Sequence, residues 1–167
     1  VGSEMCIRDR YKITTAPVIN MSGSSQDNLG FVGNEILTGD VASGISINIT
    51  DASHALAGGL SAGAQEIASA GQTINWGIPN GNANVIATIG DTEKAAIYAY
   101  EIGVGMGGGF DAAGRRVNLH LTTDGLATAN SNGSALISAA VNWVMEFSIL
   151  GSGGDLDMIE GETLVLD

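Results

Sequence analysis

The chain has 167 residues, 44% of them hydrophobic, with 25 glycines and a formal net charge of −12 at pH 7. That is one domain's worth of chain with enough apolar content for a core. Six basic residues against eighteen acidic ones leave no footprint for a nucleic acid, and no apolar run reaches membrane-spanning length.

Residues 1–10, VGSEMCIRDR, read as the in-frame translation of a sequencing-library adapter rather than as a signal peptide, because no apolar stretch follows the basic residues. They are set outside the fold, and the rest is expected to be a fragment of an open reading frame. Cys6, the sole cysteine, goes with them, so no disulfide, zinc-thiolate site or cysteine nucleophile is available. Glu4 and Asp9 offset Arg8 and Arg10, which leaves the net charge unchanged. Lys12, Lys94, Arg115 and Arg116 are then the only basic side chains.

In chain order, residues 11–21 read as a strand entered through Pro17, with Val18 and Ile19 buried, followed by a polar turn over 22–26. Residues 27–33 suggest a short helix or loop. Residues 44–50 alternate Ile45, Ile47 and Ile49 against Ser46 and Asn48, the pattern of a half-buried strand near an edge. Ser53 caps a helical turn through His54 that Gly58 and Gly59 close. Residues 65–69 and 73–76 are weaker strands, and Pro79-Asn80-Gly81-Asn82 is a turn.

Residues 85–89 (VIATI), 94–103 (KAAIYAYEIG) and 115–121 (RRVNLHL) are the organising stretch. The first two runs are apolar at consecutive positions, so both faces of these neighbouring strands should be covered, as in a layered α/β domain. Between them and the third run, GVGMGGGF (103–110) lacks the Lys and Ser/Thr of a phosphate-binding loop and is expected to be flexible. A helix over 132–147 follows, with Leu136, Ala139, Ala140, Trp143, Val144 and Phe147 on one stripe and Ser131 or Asn132 as N-cap. From Gly151 the composition shifts to an acidic, glycine-rich linker and the start of a following domain. The predicted fold is α/β, a three-layer, mainly parallel sheet flanked by helices, over residues 11–149, with 150–167 as linker.

The order of HALAGGL, VIATIGD, KAAIYAYEIG and AAGRRVNLHL resembles the C-terminal two thirds of a class I glutamine amidotransferase-like domain, nearest the ThuA-like branch of large secreted bacterial proteins. Its segments correspond here to Asp51 through Leu60, Trp76 through Pro79, Ala99 through Glu101 and Arg115 through Val117, with Ala55 replacing the family's proline. The resemblance implies a secreted or cell-surface location, further strands preceding this chain, and neighbouring domains or carbohydrate as partners. It also implies a nucleophile position near Ser22. There the sequence NMSGS lacks the outer glycines of a nucleophile elbow, and LTTDG stands where a His-x-Glu pair would follow the late strand.

The expected function is therefore a non-catalytic module, without a cofactor. The competing reading is a hydrolase or amidase using Ser22, His120 and Asp124 as nucleophile, base and orienter. Against it, His120 shares a strand face with Asn118, while Val117, Leu119 and Leu121 face the other way. His54 reads as a turn residue bonding nearby backbone. Asp155, Asp157 and Glu160, with Glu162, are a candidate calcium cluster without EF-hand spacing. Glu101 with Arg115 or Arg116 is expected to form a structural ion pair, since a charge at a buried strand end needs an opposite partner.

Overall fold

A computed structural model of the chain describes residues 11–150, except the side chains of 123–124 and 147–150. The adapter-like residues 1–10, the linker from 151 and the calcium candidates Asp155, Asp157 and Glu160 lie outside the described residues.

Among the described residues eight strands form one mixed sheet: β1 (Val18–Asn20), β2 (Thr38–Gly44), β3 (Ser46–Ile49), β4 (Gly63–Glu66), β5 (Gln72–Gly77), β6 (Asn84–Thr88), β7 (Ala95–Tyr100) and β8 (Arg116–Asn118). The main path runs β1-β8-β7-β6-β3-β4, while β5 pairs with β7 and carries β2. Among the described residues one long helix, α1 (Ser131–Leu150), packs on the sheet.

This overturns the three-layer, mainly parallel α/β expectation. Only β1 and β8 run parallel, and every other named strand pair is antiparallel. β6 and β7 are neighbours as predicted, but residues 89–94 between them are too few for the crossover of a dozen or more residues that a parallel partner demands. A hairpin results, closed by Ile89 N–H donating to the Lys94 carbonyl at 2.8 Å.

Both faces of β7 are indeed buried, but by different means. On one face Ile47, Ile49, Ile86, Ile97, Val117 and Leu119 pack with Leu136, Ala140, Trp143 and Val144 of α1. On the other, Tyr98 and Tyr100 meet Phe31, Val32 and Met106 from irregular segments. Phe31 stands edge-on to both tyrosines, with ring centroids 6.0 and 6.4 Å away, a favoured aromatic geometry. The second layer is thus loops rather than helices. α1 begins one residue earlier than predicted, with Asn130 as its cap: Asn130 Oδ1 accepts from Gly133 N–H at 3.0 Å.

The glycine loop is tied down. Gly103 N–H bonds the Ala112 carbonyl and Met106 N–H bonds the Phe110 carbonyl, both at 2.8 Å, while Gly108 N–H reaches the Gly30 carbonyl at 3.0 Å. Gly30 sits at φ +75°, and a Cβ there would overlap the Phe110 ring. Gly30→Ala therefore combines left-handed backbone strain of about 1–2 kcal/mol with overpacking of about 1–3 kcal/mol. Equilibrium unfolding in urea should show a loss of at least about 2 kcal/mol; an unchanged midpoint would mean the two loops part without cost.

Candidate functional site

No hydrogen bond joins Ser22 to His120. Ser22 precedes a 3-10 turn (Gly23–Ser25), and its Oγ lies 3.2 Å from Ser24 Oγ. His120 is fully buried, and neither ring nitrogen has a hydrogen-bond partner. Burial holds its pKa down to about 3, so the imidazole is neutral at physiological pH. Asp124 belongs to the 3-10 turn Thr123–Ala127, and its side chain lies outside the described part of the structure. A polar cleft of about 440 Å³ opens beside the serine turn, lined by Ser24, Asp27, Asn28, Glu35, Thr38 and Asp40. Neither Ser22 nor His120 lines it, so this cleft offers carboxylates and hydroxyls but no imidazole.

What the fold does assemble is a buried amide network. β7 and β8 pair at Tyr98↔Asn118, but beyond Asn118 the chain leaves β7 and bridges to β5 through Ile74↔Leu121. That divergence opens a seam with backbone groups to satisfy, and buried polar groups need partners. Asn75 fills it. Its Nδ2 donates to the Leu119 and Leu121 carbonyls at 2.8 and 2.7 Å, while its Oδ1 accepts from Asn118 Nδ2 at 3.0 Å and Gln26 Nε2 at 3.3 Å. Asn118 Oδ1 accepts in turn from Asn20 Nδ2 at 2.8 Å, and Asn20 Oδ1 from Ser25 Oγ at 2.7 Å.

Tyr98 closes the other end by donating its hydroxyl to Gln26 Oε1. Burial, with the neighbouring Tyr100 adding to it, raises the Tyr98 pKa well above its usual value, so it serves as a neutral donor. Gly77 makes room: a Cβ there would collide with Gln26 Oε1 and the Tyr98 hydroxyl. The network joins β1, β5, β7 and β8 to the serine turn without a formal charge. Sequence reading missed Asn20, Gln26, Asn75 and Tyr98 as a group. The available signal was asparagine within otherwise apolar strand runs, where that residue is depleted.

The arginines divide their work. Arg115 Nε donates to Glu101 Oε2 at 3.0 Å, its guanidinium stacks 4.3 Å from the Trp143 ring centroid, and Nη1 donates to the Trp143 carbonyl. Glu146 Oε2 stands 4.0 Å from the same nitrogen. Arg116 does not take part in the pair. It is 1% exposed and its Nη1 and Nη2 bind the Ala16 and Thr14 carbonyls at 2.8 and 2.5 Å, so it pins the approach to β1. Burial lowers its pKa from the ordinary guanidinium value.

The Glu101 side chain is 41% exposed, which corrects the premise of a buried carboxylate. Coupling between Glu101 and Arg115 should then be about 0.2–1 kcal/mol rather than the several expected of a buried pair. A double-mutant cycle with Glu101→Ala and Arg115→Ala measures it, and the same cycle with Arg116→Ala should give zero within error. Coupling above about 2 kcal/mol for Arg115 would restore the buried-pair account.

His54 turns its Nδ1 to accept from Leu56 N–H at 3.1 Å, a cap of the turn Ala55–Ala57, and its ring lies 5.8 Å from Trp143. Among the described residues no cluster of three or more His, Cys, Asp or Glu side chains is placed to hold a metal ion. No described helix is long and apolar enough to cross a membrane. Compared with known proteins, the chain matches no family model, no curated protein and no solved structure.

Proposed function

We propose that this chain is a non-catalytic module of a larger secreted or cell-surface bacterial protein, acting by packing against neighbouring domains of its polypeptide or by association with carbohydrate. The observation that carries this reading is the enclosure of His120: a base must reach the proton it abstracts, and this ring has no solvent exposure and no bond to Ser22. The seam network supports it as well, because Asn20 and Ser25, on either side of Ser22, already have their side chains committed to one another. The secreted setting rests on the resemblance to the ThuA-like branch in motif order alone. The sheet differs from the three-layer architecture of that family, so the fold lends it no support.

Ester, amide and glutamine substrates assayed with the intact chain should give no turnover above a heat-treated control. Turnover abolished by both Ser22→Ala and His120→Ala would overturn the proposal in favour of a hydrolase. Retention on insoluble polysaccharides, compared with an inert acidic protein, separates the two modes: specific retention supports the carbohydrate role, and its absence leaves domain packing.

A further inference from the structure

We draw no further inference here: the strongest candidate, the open outer edge of β1, where the parallel register with β8 turns the Ile19 amide and carbonyl away from the sheet, carries nothing because nothing in the structure shows what covers it.

Discussion

Replacing Asn75 with leucine is expected to cost on the order of 4 kcal/mol of stability, a large share of the roughly 5–15 kcal/mol that holds a typical domain folded. Leucine matches the side chain in size but removes four hydrogen bonds at once. The Leu119 and Leu121 carbonyls lose their asparagine donor, and a buried polar group without a partner costs about 1–3 kcal/mol. Gln26 keeps the Trp76 carbonyl at 3.0 Å, so its loss is partial. Asn75→Asp should do at least as much harm, because a carboxylate cannot donate to the two carbonyls and adds a buried charge. Asn142→Leu, on the exposed face of α1, is the control and should stay within about 0.5 kcal/mol. Urea unfolding decides the matter: an Asn75→Leu variant within about 1 kcal/mol of the parent would show that the seam is held by packing alone.

Acid should destabilise the fold through His120 well before most carboxylates protonate. The folded-state pKa, about 3, lies below the usual 6.5, and burial is the cause. A group whose folded pKa is depressed binds more protons when unfolded, so its contribution is fully present above pH 6.5 and is lost as pH falls towards 3. Integrated over the whole window this is on the order of 5 kcal/mol, of which about half falls between pH 6.5 and about 4.5. Asp51, whose pKa is lowered chiefly by the Ser53 hydroxyl, has an ordinary pKa of 3.8, so its contribution declines below this window. Stability measured across pH 6.5 to 4.5 should slope steeply in the parent and much less in His120→Phe. Parallel slopes in the two proteins would mean that the imidazole titrates normally and has solvent access.

The places where sequence reading succeeded share a physical cause. The runs at 85–89 and 96–100 are strands because β-branched and aromatic residues stand at consecutive positions, and α1 is a helix because its apolar residues recur at helical spacing. Double burial of β7 was legible too. What covers each face was not, since an apolar strand face carries the same side chains under a helix as under a loop. Strand direction was legible in principle from the short link at 89–94, but two runs apolar at consecutive positions also carry the pattern of doubly covered parallel strands. β2, with the sequence TGDVASG, has little intrinsic strand preference and exists because β5 offers it a partner. Ile45, expected on the buried face of β3, is 42% exposed just after Ser43, the one described non-glycine residue at positive φ, where the chain leaves β2 for β3. The site was least legible of all. Asn20, Asn75 and Asn118 become neighbours only through the parallel β1–β8 pairing and the departure of residues 119–121 towards β5.

That parallel pairing also sets the order in which the molecule can be made. Asn20 and Asn118 are 98 positions apart, and among the described strands β1 pairs with β8 alone. At a synthesis rate of about 5–20 residues per second, β1 waits on the order of 5–20 seconds after emerging before its partner has been made. The hairpin of β6 and β7 and the pairing of β3 with β4 need only local closure and can form meanwhile. Of the described strands β1 is therefore the last to enter the sheet, and until it does Val18, Ile19 and Met21 remain a short apolar stretch open to chaperones and to neighbouring nascent chains.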